Sequence, residues 1–225
     1  MTTVAAVDLR TYVVTDAVLS GDRGVLSVIA DAVHAGAGII QIREKNAPTG
    51  ELFELVMRAA EVTAGRCALV VDDRVDVFLA ARAAGAAVHG VHVGQSDLPV
   101  AAVRHLVGDV NPDGTRALVG LTANSHAHLA AVAALPVGTV DYLGVGVIRA
   151  TATKPDHPAP LGIEGFAALA AAATVPCVAI GGIDVDDIPA LRDAGAAGAA
   201  VVSAICAAPD PAAATRRFTA AWSAA

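Results

Sequence analysis

The chain has 225 residues, a formal net charge of −7 and a pI near 5.4. This acidic balance excludes nucleic acid as a partner, because binding along a phosphate backbone needs a basic field, so any anion site must be local. Hydrophobic residues make up 55% of the chain, but alanine is the commonest, and the richest run, 167–183, is broken by Pro176 and two glycines. The pattern predicts a soluble protein without a membrane span.

Short runs rich in β-branched residues recur along the chain and predict eight strands. In chain order they are YVVT (12–15), GIIQIR (38–43), CALVVD (67–72), VHGVHV (88–93), ALVGLT (117–122), DYLGVG (141–146), PCVAIG (176–181) and GAAVVS (198–203). Alanine-rich segments with helical spacing predict helices near 24–35, 50–64, 74–84, 99–107, 125–134, 163–173, 185–194 and 210–223. Turn or capping residues precede several of them, as Thr49 and Asp97 do.

The strict alternation of strand and helix predicts parallel strands joined by right-handed crossovers. Eight such units favour a closed (β/α)8 TIM barrel with parallel strands, built as a single domain over 1–225. No G-x-G-x-x-G follows the first strand, which weakens the alternative of an open nucleotide-binding sheet.

The cysteines and the N-terminal residues favour a cytoplasmic location. The first ten residues, MTTVAAVDLR, carry no basic segment followed by an apolar stretch, so no secretion signal is predicted. Cys67, Cys177 and Cys206 are far apart and lack the paired spacing of a zinc site. We expect them to be reduced core residues.

The end of the second predicted strand, IIQIREKNAP, concentrates polar residues. Successive side chains of an extended chain point to opposite faces, so one face carries Gln41, Arg43 and Lys45. Ile42 and Glu44 share the other face. Two cations and an amide therefore converge, although a solvated strand end would have the same composition.

Polar residues also follow the other predicted strands, at the end where barrels of this type carry their chemistry. They are Asp72, Asp73, Gln95, Asp97, Thr122, Asn124, Thr151, Thr153, Lys154, Gly181, Gly182 and Ser203. All of these strand ends open toward one mouth. Aspartates on adjacent strands, three cations, two threonines and a glycine pair indicate a functional site rather than solvated loops.

The acidic and basic residues of this mouth suit a metal-bound diphosphate. Asp73 and Asp97 can share a Mg²⁺ ion, which takes one or two carboxylates and completes its shell with water and phosphate oxygens. Helix capping is the alternative role of Asp97. Arg43, Lys45 and Lys154 can hold the remaining negative charge.

A second anion site is predicted beside the last two strands. Glycines let backbone N–H groups approach a ligand, and phosphate in such barrels often lies by the loops after strands seven and eight. Gly182, Val202 and Ser203 fit this site. The same glycines also suit a plain tight turn.

Together these segments resemble the thiamine-phosphate synthase family. The resemblance spans nearly the whole chain, and its most specific motifs are GVHVGQSDLP (90–99) and TATK (151–154). Other matching segments are YVVTD (12–16), QIREK (41–45), DDRVD (72–76), DYLGVG (141–146), AIGGI (179–183) and VVSAI (201–205). The resemblance implies an enzyme of thiamine biosynthesis that joins a hydroxymethylpyrimidine diphosphate to a hydroxyethylthiazole phosphate and releases pyrophosphate.

The resemblance also implies a role for each site residue. The residues implied for the pyrimidine diphosphate are Gln41, Ile42, Arg43, Glu44, Lys45, Asp72, Thr122 and Lys154. Those implied for catalysis are Arg43, Lys45, Lys154 and Thr122, and those for Mg²⁺ are Asp73 and Asp97. The residues implied for the thiazole phosphate are Thr151, Thr153, Gly182, Val202 and Ser203.

The chain departs from the family pattern at three places. Asp72 stands where asparagine is usual, and Thr122 replaces the usual serine but keeps the hydroxyl. The segment GVGVIRATATK lacks the usual proline and aromatic residue before the threonines, and Arg149 takes the place of the aromatic residue. We expect Arg149 to contact the diphosphate and the following loop, up to Pro160, to act as a lid. The histidines expected at the surface are His126, His128 and His157.

Other functions stay open at this point. A thiazole tautomerase on the same scaffold needs no diphosphate site, and the residues that argue against it are Lys45, Asp73, Asp97 and Lys154. A non-catalytic binder would keep both phosphate sites without turnover. A sugar-phosphate isomerase would need an evident carboxylate base at a strand end. The sequence also leaves a homo-oligomer open.

Overall fold

The computed structural model describes residues 7–151, 153 and 159–224. Eight parallel strands close into a barrel in chain order, and the eighth pairs with the first. The strands are β1 Thr11–Val14, β2 Ile39–Ile42, β3 Ala68–Asp72, β4 Gly90–Val93, β5 Leu118–Thr122, β6 Tyr142–Gly146, β7 Cys177–Ile180 and β8 Gly198–Val201. Each lies within one residue of the run that predicted it, so the predicted (β/α)8 barrel is confirmed. The single domain over 1–225 stays a prediction.

Helices connect the strands and cover the outside of the barrel. They are α1 Ala17–Ser20, α2 Val25–His34, α3 Thr49–Thr63, α4 Val75–Ala83, α5 Val100–Val107, α6 His126–Ala133, α7 Gly162–Ala172, α8 Ile188–Asp193, α9 Ser203–Cys206 and α10 Pro211–Ser223. The sequence prediction lacked α1 and α9, because four residues are too few to show a helical period. The predicted helix 185–194 begins with a 3₁₀ turn, Val185–Asp187.

Two predicted helix-capping residues have other roles. Thr49 is the first residue of α3, which Pro48 precedes, and its Oγ1 accepts a hydrogen bond from Arg74 Nη2 at 2.9 Å. Pro99 precedes α5, and Asp97 instead accepts from the backbone N–H of Gly94 at 2.7 Å. Both helices therefore start at a proline-fixed turn without a side-chain cap, and the capping predictions were wrong.

Apolar side chains form two cores, one on each side of the strand wall. Outward-facing residues such as Val13, Ile40 and Leu143 are fully buried against the helices. The inward-facing core consists of Tyr12, Val14, Ile39, Ala68, Val70, Leu118, Tyr142, Val178 and Ala200. Because side chains alternate along each strand, the inward rows continue at their carboxyl ends into the mouth of the barrel.

The cysteines are free thiols, as the sequence predicts. Cys177 and Cys206 are buried, and burial raises the pKa of each thiol to about 11. Cys67 is half-buried, and burial raises the pKa of its thiol to about 12. Among the described residues, no helix combines the length and the apolar character that crossing a membrane requires.

We expect Gly120→Ala to destabilise the barrel strongly. A Cβ at Gly120 would lie 2.3 Å from Tyr142 Cζ and 2.4 Å from His92 Nδ1. Both rings are buried inside the barrel, so relieving the clash requires displacement of two strands. We expect the free energy of unfolding, measured with urea, to fall by about 3 kcal/mol. The matched control is Gly50→Ala in α3, where a Cβ has no neighbour within 4 Å and the free energy should stay equal or rise. Equal stabilities of the Gly120→Ala and wild-type proteins would contradict the prediction.

Candidate active site

Two adjoining cavities open at the carboxyl end of the barrel. The first has a volume of about 320 Å³ and is lined mainly by polar residues that follow β2 to β5. The second has a volume of about 100 Å³ and lies beside the ends of β6, β7 and β8. The residues that line both cavities are Val14, Arg43, Thr122, Asn124, Ile180 and Ala200. Ligands in the two cavities would therefore meet beside this common wall, whose charged residue is Arg43.

Side chains at the end of β2 point alternately to two faces of the strand, as the sequence predicts. Gln41, Arg43 and Lys45 line the first cavity, and Gln41 is buried. Ile42 packs in the core between strands and helices. Glu44 accepts hydrogen bonds from Thr15 Oγ1 at 2.7 Å and from the N–H of Ala17 at 3.1 Å, and burial raises the pKa of its carboxyl. Of the five residues 41–45 predicted for the site, the structure therefore places three at the first cavity.

A chain of hydrogen bonds crosses the floor of the first cavity. Gln41 Nε2 donates to Asp72, and Gln41 Oε1 accepts from Tyr12 Oη at 2.9 Å. The hydroxyls of Tyr12 and Tyr142 are 2.7 Å apart. These bonds give the Gln41 amide one orientation, with its oxygen on Tyr12 and its nitrogen on Asp72.

The same chain continues to β5. Tyr142 Oη lies 3.3 Å from His92 Nδ1, and His92 Nε2 lies 3.1 Å from Thr122 Oγ1. Gln95 Nε2 donates to the backbone oxygen of Thr122. The buried polar groups of the barrel interior therefore have partners, and the Thr122 hydroxyl is held in place at the junction of the two cavities.

Two aspartates at the end of β3 face the cations of β2. The Arg43 Nε atom lies 3.8 Å from Asp72, and Lys45 Nζ lies 3.0 Å from Asp73. Burial raises the pKa of Asp72 to about 7, and the adjacent Asp73 carboxylate adds to the rise, whereas Lys45 and Arg43 oppose it. The site therefore holds closely spaced charges of both signs before any ligand binds.

The carboxylates of Asp73 and Asp97 fit a Mg²⁺ ion by their donor chemistry. Both line the first cavity and offer hard oxygen donors from adjacent strands. Asp73 has a φ of +56°, in the left-handed region, and its N–H donates to the His92 carbonyl at 2.8 Å. Among the described residues, no group of three or more His, Cys, Asp or Glu side chains could hold a metal. A cation at these two carboxylates would therefore depend on ligand oxygens and water for the rest of its shell.

The second cavity collects the residues predicted to hold a thiazole phosphate. Its lining includes Thr151, Thr153, Gly182, Val202 and Ser203. The hydroxyls of Thr151 and Thr153 are 2.8 Å apart. Lys154 and His157 lie outside the described residues.

Two residues lie elsewhere than the sequence predicts. His128 is half-buried, lines the first cavity, and its Nδ1 accepts from the N–H of Asn124 at 3.3 Å, whereas His126 is exposed as expected. Arg149 lines neither cavity, because both of its Nη atoms donate to Asp187. The expected contact between Arg149 and a diphosphate is therefore not formed in this arrangement.

Four polar or aromatic cavity residues are missing from the sequence prediction of the mouth: Tyr12, His92, Ser96 and Tyr142. A usable signal existed for two of them, because the register of the strands places His92 beside Asp72 and Gly120, and Tyr142 beside Gly120. Gln95 and Asn124 were predicted at the mouth without a specific role, and both line the first cavity.

A closed parallel barrel with a charged mouth and an adjoining glycine-lined cavity has the architecture of a barrel enzyme, and its cavities suit small phosphorylated molecules. A family model described as thiamine monophosphate synthase matches residues 11–205. The chain belongs to this family, and the prediction of an enzyme is confirmed.

Relatives that carry the name thiamine-phosphate synthase match along almost the full chain. The protein from Chloroflexus aurantiacus is 45% identical over 216 residues, which cover 95% of this chain and 93% of the relative. The protein from Corynebacterium efficiens is 40% identical over 211 residues, covering 94% of each. Among solved structures, the thiamine phosphate pyrophosphorylase from Pyrococcus furiosus superposes with a TM-score of 0.80 at 29% identity, covering 96% of both chains. A 3-hexulose-6-phosphate synthase, with a TM-score of 0.66 at 20% identity over 95% of this chain and 99% of that one, shares the fold.

Proposed function

We propose that this chain joins hydroxymethylpyrimidine diphosphate to hydroxyethylthiazole phosphate and releases thiamine phosphate and pyrophosphate. The observation that carries the proposal is the common wall of the two cavities at Arg43 and Thr122. A diphosphate fits the first cavity beside Arg43 and Lys45, and a monophosphate fits the smaller, glycine-lined cavity. The two reacting atoms then meet at the common wall.

The proposed reaction needs no general base. The thiazole ring nitrogen supplies the electron pair of the new C–N bond, and it carries no proton that must be removed. The bond between the pyrimidine methylene carbon and the diphosphate oxygen breaks, and the diphosphate leaves with that electron pair. The electron-rich aminopyrimidine can bear the positive charge that develops on its methylene carbon.

Catalysis then consists mainly of compensating the charge that builds on the leaving diphosphate. Arg43 presents a planar fork of donors and Lys45 a point charge, both beside the first cavity. The Thr122 hydroxyl, 3.1 Å from His92 Nε2, adds a neutral polar group at the common wall. Mg²⁺ bound by Asp73 and Asp97 would neutralise further charge on the diphosphate oxygens. Lys154 is proposed to add another cation from the segment after β6.

The tautomerase and the non-catalytic binder receive less support. A tautomerase has no use for the carboxylates and cations that line the first cavity, which are Asp73, Asp97, Arg43 and Lys45, with Lys45 and Asp73 paired at 3.0 Å. A binder would keep both cavities, but the relatives that cover almost the whole chain carry the name of a synthase.

One incubation tests the proposed function. The purified protein is mixed with both substrates, with Mg²⁺ or with a chelator, and thiamine phosphate and pyrophosphate are measured together. We expect equal amounts of both products, formed only with Mg²⁺. Product formation with chelator would contradict the metal assignment, and binding of both substrates without product would favour the non-catalytic binder.

We expect Asp72→Asn to preserve or raise activity. The replacement removes a negative charge beside the diphosphate, and an asparagine oxygen can still accept from Gln41 Nε2 as Asp72 does. The KM for the pyrimidine diphosphate should therefore stay equal or fall, at unchanged turnover. A loss of turnover greater than about tenfold would show that Asp72 takes part in the chemistry.

The same variant should change how stability depends on pH. The pKa of Asp72 is about 7 in the folded protein, above the ordinary value of a free aspartate, so the folded state binds this proton more tightly. The contribution of Asp72 to stability is therefore full below about pH 4 and is lost as the pH rises to about 7. Above that pH we expect Asp72→Asn to be more stable than the wild type, measured by urea unfolding without ligands. Parallel pH profiles of the two proteins would contradict the prediction.

A further inference from the structure

A buried carboxylate lies behind the glycine loop of the second cavity. Asp187, in the turn before α8, is only 8% exposed. Its Oδ1 accepts from Arg149 Nη2 at 2.6 Å, and its Oδ2 accepts from Arg149 Nη1 and from the N–H of Asp184 at 2.8 Å. The Arg149 guanidinium also lowers the pKa of this carboxyl. The pair therefore ties the segment after β6 to the turn that follows β7.

Arg149 also holds two successive carbonyl groups of the glycine loop. Its backbone N–H donates to the Gly181 oxygen at 3.0 Å, and its Nη1 donates to the Gly182 oxygen at 3.2 Å. Both of the peptide bonds that follow these carbonyls are trans, so each N–H points opposite to the carbonyl of the same peptide unit. The N–H groups of Gly182 and Ile183 are therefore directed away from Arg149.

The opposite side of this loop is the second cavity. Gly181, Gly182 and Ile183 line it, whereas Arg149 and Asp187 do not. Gly181 and Gly182 have φ values of +93° and +66°, which glycine adopts readily, and the absence of side chains lets a ligand approach the backbone N–H groups of the loop. Two N–H donors aimed into the cavity are suited to a phosphate group.

The loop packs directly against Arg149. A Cβ at Gly182 would lie 2.8 Å from Arg149 Cβ and 3.0 Å from the Arg149 oxygen. Because no space separates the two segments, a change in the position of Arg149 is transmitted to the peptide between Gly182 and Ile183.

We propose that Arg149 and Asp187 are a positioning pair, which aims the N–H groups of Gly182 and Ile183 at the phosphate of the thiazole substrate. The inference rests on the proposed function, because it concerns the phosphate site of that reaction. Neither side chain touches the ligand. Asp187 fixes the guanidinium, the guanidinium fixes the Gly182 carbonyl, and the carbonyl fixes the direction of the Ile183 N–H.

The test compares phosphorylated and unphosphorylated hydroxyethylthiazole as ligands. Calorimetry gives the Kd of each for the wild type, Arg149→Leu, Arg149→Lys and Asp187→Asn, and steady-state kinetics gives the KM of both substrates. We expect Arg149→Leu and Asp187→Asn to weaken binding of the phosphorylated ligand by about tenfold. The KM of the pyrimidine diphosphate and the Kd of the unphosphorylated ligand should not change. Arg149→Lys, which keeps one donor for Asp187, should lie between the wild type and Arg149→Leu.

The matched control is Arg10→Leu at the amino end of the barrel. Arg10 forms a two-bond pair with Asp8 at 2.9 and 2.7 Å, so the control removes the same kind of ion pair far from the cavities. Its Kd values should equal those of the wild type. An equal loss of affinity for both ligands, or a joint change in both KM values, would assign Arg149 a general structural role and overturn the inference. A wild-type protein that does not bind the thiazole phosphate would overturn the proposed function, and this inference with it.

Discussion

We expect Asp73→Asn and Asp97→Asn each to lower the rate of thiamine phosphate formation by about 100-fold or more at saturating substrate. Each change removes one of two carboxylates that could hold Mg²⁺ in the first cavity. Asparagine is the informative replacement at both positions. It tolerates the left-handed backbone of Asp73, and at position 97 its oxygen can still accept from Gly94. The loss therefore reports the missing charge rather than a changed loop.

The measurement is pyrophosphate release over a series of Mg²⁺ concentrations, and we expect both variants to need more metal than the wild type. Asp76→Asn is the matched control, because Asp76 follows the same strand but is exposed and paired with Arg74 at 2.6 Å. Its activity should stay within about twofold of the wild type. If Asp73→Asn and Asp97→Asn kept the wild-type rate and metal dependence, the Mg²⁺ site would have to be placed elsewhere.

The order and direction of the strands could be predicted because near-continuous apolar strands alternate with helices along the chain. A run such as GIIQIR between two helices is typical of a buried parallel strand, and β2 occupies Ile39–Ile42 within it. Alternation also predicted that Gln41, Arg43 and Lys45 share one face, and all three line the first cavity. These features depend on neighbours along the chain, which a sequence displays directly.

The contacts that depend on barrel closure could not be predicted in the same way. The hydroxyls of Tyr12 and Tyr142 meet although the residues are 130 positions apart, and no local pattern pairs them. Arg149 is predicted to contact the diphosphate because a cation stands where the family has an aromatic residue before the threonines. Asp187, 38 positions later, takes both of its Nη donors instead. Which carboxylate pairs with Arg149 depends on the folded positions of the two segments, and the sequence does not show that Asp187 lies beside it.

We expect Arg43→Met to lower turnover by about 100- to 1,000-fold, the usual cost of removing one fixed donor from developing negative charge. Arg43 lines both cavities, so in the proposed reaction its guanidinium would lie beside the bond that breaks between the diphosphate and the methylene carbon. The backbone N–H of Arg43 donates to Thr15 Oγ1 at 3.0 Å, and this bond does not depend on the side chain. Methionine keeps the length of the stem, so the strand end should stay in place.

Two further variants show whether the charge or the planar geometry of Arg43 is required. Arg43→Lys keeps the charge but loses the planar fork, and we expect it to recover only part of the turnover. Arg66→Met removes an exposed cation before β3, at the opposite end of the barrel, and should leave the rate unchanged. Full activity in Arg43→Lys would show that charge alone suffices. Wild-type turnover in Arg43→Met would contradict the role of this residue, since the leaving diphosphate would then be stabilised by Lys45 and the metal without it.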